Sequence, residues 1–299
     1  MIHASNLKKT FDGFFALDGM DINVEQGSVY GLVGPNGAGK TTLLKTLMGV
    51  YKKDDGSLKI MGEDPYENKK LKEKIGFISD ELYFFSNYTI KDTAKFYSKI
   101  YPNWSFDRYN SLKNAFSIDE NMKIRKMSKG MKKQVAFWMI ISMKPEIMIL
   151  DEPVDGLDPV ARKSVWNLVL QDVSERGTTV LISSHNLREL EDVCDHVGIM
   201  SKGKLLLEKE LSSAKNDIHK LQIGFKDKIP KKMLEDENII NSSISGSIVT
   251  IIVKGNEEKL LEYYNSFSPA LIDIISLTLE EVFIYEVGGD GYEIKNIIL

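Results

Sequence analysis

At 299 residues, with 42% hydrophobic and 27% charged, the chain has the composition of a globular protein with a full core, which excludes disordered and fibrous classes. Its net charge of -4 offers no overall attraction to nucleic acid. The single cysteine, Cys194, excludes an internal disulfide and reads as a core residue of a chain kept in a reducing compartment.

In chain order, the opening MIHASNLKKTF lacks the apolar stretch of a leader peptide. Gly27 opens a short apolar strand, Val29 to Val33, followed by the turn GPNGAGKTT and a helix from Thr41 to about Met48. Helical periodicity dominates from Glu81 to about Ser142. This stretch contains the longest apolar run, Val135 to Ile141, far short of the roughly 18 residues that a spanning helix needs. A buried strand follows at Ile147 to Leu150, then a helix near Val160 to Glu175 and a strand at Thr179 to Ser183. This alternation predicts a parallel sheet covered by helices, with a helical insertion at about 82–143. After about residue 210 the texture changes. Strands at Leu221 to Phe225 and Ile248 to Val253, with a helix at Asn256 to Phe267, predict a small α+β domain over 211–299.

The turn at Gly34, Pro35, Asn36, Gly37, Ala38, Gly39, Lys40, Thr41 and Thr42 contains G-x-x-x-x-G-K-[ST] between a strand and a helix, the pattern of a phosphate-cradling loop. Its glycines let backbone N–H groups close around phosphate oxygens, which β-carbons would obstruct. Lys40 offers its charge to the β- and γ-phosphates, and the Thr41 hydroxyl can ligate Mg²⁺. Downstream, IMILDE places Asp151 and Glu152 at the end of a buried strand, where open α/β sheets hold ligands. Asp151 would hold Mg²⁺ through water, and Glu152 would polarise an attacking water.

With these motifs stand Met127 to Met131 (MSKGM), Gly156 to Asp158, His185 after TTVLISS, and Phe11 in KKTFDGF. Together they resemble the ABC ATPase family: MSKGM looks like a variant of its LSGGQ signature, the GLD segment like its D-loop, and His185 like its switch histidine. The resemblance covers about residues 1–210. It implies a P-loop α/β core with a helical subdomain, ATP and Mg²⁺ as ligands, Phe11 stacking on adenine, and Ser128 and Gly130 contacting the γ-phosphate of an opposing subunit. Ser128 is also placed to cap a helix whose positive end would face that phosphate. The implied partners are an integral membrane subunit and a second ATPase, identical or related. The implied place is the cytoplasmic face of the membrane. YPNW at Tyr101 to Trp104 and the Asp80–Glu81 pair after IGFIS resemble ATPases of Gram-positive exporters of antimicrobial peptides or phenol-soluble modulins. That implies export of a peptide or toxic amphiphile.

The chain departs from the family pattern at Lys129 and Met131, where glycine and glutamine are usual, and at Asp80, the lid position normally held by glutamine. An aspartate there could ligate Mg²⁺. Lys123 to Lys133 carries six basic residues in eleven, with too little aromatic interleaving for a nucleic-acid patch. The rival reading is a non-transport ABC ATPase, regulatory or nucleic-acid-associated. Only 88 residues separate Lys40 from Ser128, with no sustained heptads and one cassette, which argues against it. Eight aromatics crowd Tyr83 to Trp104, and part of Tyr83 to Tyr88 is expected at the surface.

Overall fold

A computed structural model describes residues 1–211, 218–226, 228–278, 280, 281 and 285. The rest of the expected 211–299 domain, including everything beyond residue 285, lies outside the described residues. The first strands and helices are β1 (Ile2–Phe11), β2 (Phe14–Val24), β3 (Val29–Val33), α1 (Lys40–Leu47), β4 (Asp55–Ile60), α2 (Lys69–Lys72) and β5 (Ile75–Ile78). Three helices follow, α3 (Ile90–Ile100), α4 (Phe106–Phe116) and α5 (Lys129–Ser142). Then come β6 (Ile147–Asp151), α6 (Pro159–Arg176), β7 (Thr179–Ser184), α7 (Arg188–Glu191), β8 (His196–Ser201) and β9 (Lys204–Glu210). The chain divides into two compact units, Met1–Glu208 and Lys209–Leu299.

The first unit is built on a six-stranded sheet ordered β5-β6-β7-β3-β8-β9. Strands β3, β6 and β7 are buried along their whole length, as strands covered on both faces must be. Their register decides where the chemistry lies. Val33 pairs with Ser184 across β3 and β7, and Asp151 pairs with Ser183 across β6 and β7, all in parallel. The segments that follow β3, β6 and β7 therefore leave the sheet at one edge, where such sheets bind ligands.

A separate antiparallel sheet, β2-β1-β4, comes from segments in which the sequence showed no strands. The reason lies in the pairing. Strand β1 slips register against β2 at three places, so the alternation that signals a strand is repeatedly reset. The helical region also starts later than the periodicity suggests. Thr89 and Asp92 form a capping box that begins α3 at Ile90, and Glu81–Tyr88 is loop. Ser105 caps α4 and Ser128 caps α5.

Helix α5 is the central beam of this region, with every residue from Val135 to Ser142 buried. Trp138 stacks on Tyr109 at 4.9 Å, and its indole N–H donates to the Tyr109 carbonyl at 2.8 Å, binding α5 to α4. Buried Asp172 on α6 accepts from both Arg108 and Arg176. Asp158 caps α6 with Pro159 at its first turn, and Gly177 closes it in the left-handed conformation.

The second unit holds β10 (Ile218–Gly224), β11 (Ile239–Ser245), β12 (Ile248–Lys254), α8 (Glu257–Asn265) and β13 (Leu271–Ile275). They form an antiparallel sheet ordered β11-β12-β10-β13. Leu221, Ile223, Val249, Ile251 and Val253 pack there with Leu260 and Tyr264 of the helix. Strands β11 and β13 escaped the sequence reading because neither is buried: β11, ending in NSSIS, is exposed along almost its whole length, and every residue of β13 is exposed or half-buried.

Candidate functional site

The loop after β3 wraps tightly. Ala38 N–H donates to the Pro35 carbonyl at 3.1 Å, and Gly203 N–H donates to the Ala38 carbonyl at 2.9 Å. The three loop glycines serve different ends. A Cβ on Gly34 would collide with the Met200 carbonyl, and one on Gly39 with the Ala16 carbonyl, so both are needed for packing against neighbouring backbone. Gly37, with φ +82°, is the one facing open space. Asn36 and Gly37 are exposed, while Pro35 is half-buried. Thr41 is exposed and Thr42 half-buried at the start of α1.

Lys40 is 6% exposed and donates to the Gly34 carbonyl at 2.6 Å, so the loop carries its own ammonium inside it. Burial pushes its pKa down, and the neighbouring Glu152 and Asp151 carboxylates oppose that. Its Nζ lies 3.6 Å from Glu152 Oε1. The other Glu152 oxygen is 2.9 Å from His185 Nδ1, and the His185 backbone N–H reaches it at 3.4 Å. Glu152 thus sits between Lys40 and His185, residues brought together from three separate crossovers by the sheet register.

The Glu152 backbone is held with unusual care. Its φ is +45°, a left-handed conformation that costs a non-glycine residue on the order of 1–3 kcal/mol. The neighbouring structure offsets this. Glu152 N–H donates to the Ser183 carbonyl at 3.1 Å and lies 3.2 Å from Ser183 Oγ. Its carbonyl accepts from Lys133. Beside it, Thr41 Oγ1 donates to Asp151 Oδ2 at 2.8 Å, and Ser183 Oγ donates to Asp151 Oδ1. A hydroxyl and a carboxylate that converge next to the phosphate loop are hard oxygen donors suited to Mg²⁺. Among the described residues, no three His, Cys, Asp or Glu side chains form a metal-holding group. Asp80 Oδ1 lies 3.8 Å from Lys133 Nζ.

Ser128, Lys129 and Gly130 lie at the start of α5. Ser128 Oγ accepts from Met131 N–H at 3.1 Å, capping α5 as its position predicts. Lys129 bridges Asp155 at 2.6 Å, and a Cβ on Gly130 would come within 2.7 Å of the Gly156 carbonyl. The start of α5 is therefore pressed against the 155–156 turn, and only glycine fits at 130. Among the described residues no hydrogen bond or ion pair joins Ser128 or Gly130 to the phosphate loop. Phe11 ends β1, 39% exposed, edge-on to Tyr51 at 5.2 Å, with the exposed Phe14 and Phe15 beside it in the same hairpin.

Lys133, Ser183 and Asp155 were not singled out by sequence reasoning. Asp155 is visible in retrospect as the acid inside DEPVDGLD. Lys133 had no signal of its own, since it belongs to a run of basic residues around the signature segment in which nothing marks one member as buried.

Residues 17–155 match a family model described as ABC transporter. Over 289 residues the chain is 31% identical to the ABC transporter ATP-binding protein YtrB of Bacillus subtilis (strain 168), covering 97% of this chain and 99% of that one. The chain belongs to the ABC transporter ATP-binding proteins. A second relative in this family, the bacitracin transport ATP-binding protein BcrA of Bacillus licheniformis, is 31% identical, with 97% of this chain and 98% of that one covered. Among solved structures, a dimeric ATP-binding cassette in a post-hydrolysis state with ADP and Pi superposes with a TM-score of 0.65 at 21% identity. The match covers 71% of this chain and 99% of that one and establishes the cassette fold. Among the described residues, no helix of this ABC protein is long and apolar enough to cross a membrane.

Proposed function

We propose that the chain hydrolyses ATP as one half of a dimeric pair and powers export through a separate membrane subunit. The observation that carries this reading is the placing of the Glu152 carboxylate between Lys40 and His185, beside the Thr41–Asp151 pair. The loop from Gly34 to Thr42 holds the phosphates, with Lys40 on the terminal ones, and Phe11 provides a face for adenine. Thr41 and Asp151 would hold Mg²⁺, which when bound neutralises phosphate charge. Glu152 takes the proton of the attacking water, and His185 fixes the orientation of that carboxylate while reaching for the γ-phosphate. Ser128 and Gly130, which make no hydrogen bond to this chain's own loop among the described residues, serve the nucleotide of the second copy. Closure on ATP and opening after hydrolysis would move the membrane helices. The chain would then work at the cytoplasmic face of the membrane. The name of the bacitracin relative supports a peptide-like cargo. ATPase activity of the purified chain, absent without Mg²⁺, tests the reading, and an inactive, folded wild type refutes it.

The surface that would meet the membrane subunit is apolar. Tyr83 is 84% exposed and Phe85 56%, with Phe84 half-buried and Phe96 packed edge-on to Phe85 at 5.3 Å. Aromatics of this kind make good anchors for a docking helix. Polar substitution at Phe84 and Phe85 together is expected to weaken co-purification of the membrane subunit and to spare basal ATPase activity. Undiminished assembly of that double variant would place the dock elsewhere.

The 211–299 region is proposed to be accessory, since none of the site residues comes from it. Strand β9 ends at Glu210, so a chain ending there keeps the six-stranded sheet complete. Its ATP affinity is expected to match that of the full chain, measured by titration with a fluorescent analogue. Loss of binding in a well-folded truncation would give this region a part in the site.

A further inference from the structure

Lys133 is wholly buried, with a side-chain exposure of 0%. An ammonium so placed needs an anion and hydrogen-bond acceptors. It donates to the carbonyl of Glu152, the residue held at φ +45°. Three carboxylates act on it electrostatically: Asp80, Asp155 and Glu152. Two are committed to other partners. Glu152 is shared between Lys40 and His185, and Asp155 is bridged to Lys129 at 2.6 Å. Asp80, at 3.8 Å, is the remaining counter-charge.

We propose that Asp80 and Lys133 form a positioning pair: the Asp80 carboxylate anchors the Lys133 ammonium, and that ammonium holds the backbone of Glu152 in the conformation that aims its side chain. In this arrangement Asp80 acts through Lys133 and is not a metal ligand. The pair rests on Glu152 being the water-activating residue. It also gives the unusual aspartate at position 80 a physical reason, because a neutral residue there would remove the one ion pair that the buried ammonium makes among the described residues. The loop that carries Asp80 runs directly into the exposed aromatics Tyr83 and Phe85, so displacement of that loop would be felt at the Glu152 backbone through two contacts.

The test is a double-mutant cycle in the full chain: Asp80→Asn, Lys133→Met and both together. Methionine comes close to lysine in volume and removes the buried charge, so folding should survive; Lys133→Gln replaces it in the cycle if it does not. Coupling between contacting charged residues is typically worth about 2- to 100-fold. Lys133→Met should lower kcat by roughly that range with ATP affinity within about threefold of wild type, because Lys40 and its loop are untouched. The double variant should lose less than the product of the single losses. Asp80→Asn should leave the Mg²⁺ concentration for half-maximal activity unchanged. Multiplicative losses, a fully active Lys133→Met, or a shifted Mg²⁺ titration for Asp80→Asn would each overturn the pair. Thermal melting of the same four proteins reads the coupling without turnover. Non-additive melting shifts in a chain that does not hydrolyse ATP would keep the pair and discard the role of Glu152, whereas additive shifts would discard the pair itself.

Discussion

Lys40→Ala is expected to lose ATP binding almost entirely. The lysine is buried, its nitrogen held by the Gly34 carbonyl and 3.6 Å from Glu152, so its charge is already desolvated and aimed before nucleotide arrives. Removing one partner of a buried, hydrogen-bonded charge pair costs about 2–5 kcal/mol, or roughly 30- to 5,000-fold in affinity. Here the loss falls toward the upper end. Without the ammonium, the Glu152 and Asp151 carboxylates face the incoming phosphates with no intervening cation. The loop itself should persist, because Gly34 and Gly39 are fixed by packing against the Met200 and Ala16 carbonyls and not by the lysine. Titration with a fluorescent ATP analogue measures the effect, and a Lys40→Met variant keeps the side-chain volume. Wild-type affinity in either would remove the loop from the nucleotide site.

The parts of the site that could be read from sequence are those where burial and chemistry share one local pattern. Strand β3 feeding a glycine loop, and IMILDE ending in two acids, are apolar runs with a sharp chemical stop, and both occur where expected. His185 was legible as the residue just past a third such strand. What joins them, the register that aligns Val33, Ser184, Ser183 and Asp151 at one edge, is a property of pairing that no single segment carries. The glycines show the same limit. Sequence assigns all three of the loop to phosphate approach, yet two of them are required by contacts with β2 and β8 far along the chain. Lys133 lies furthest from what sequence can show. Among the basic residues of Lys123 to Lys133, the helix turns this one inward against the end of β6, and a one-dimensional charge run does not say which member is buried. The strands β1, β2 and β4 were invisible because bulges and polar residues erase their alternation.

Glu152→Gln is expected to separate binding from turnover. Glutamine preserves the side-chain length and can still meet His185 Nδ1 and approach Lys40, so the pocket should keep its shape and its affinity for ATP. It cannot take a proton from water at neutral pH. Removal of a general base typically lowers the rate by about 10²- to 10⁴-fold. The backbone should stay in place, because its φ of +45° is secured by Ser183 and Lys133 through main-chain groups that the substitution does not touch. ATP that binds without being hydrolysed should then trap the closed pair of chains, which light scattering would detect as a dimer that persists with ATP and disperses with ADP. Two results would count against the assignment in different ways. Turnover at the wild-type rate would show that another group activates the water, with His185, 2.9 Å from the same carboxylate, the first to examine. Slow turnover without an ATP-dependent dimer would leave Glu152 as the base and remove the second copy from the site, and with it the role proposed for Ser128 and Gly130.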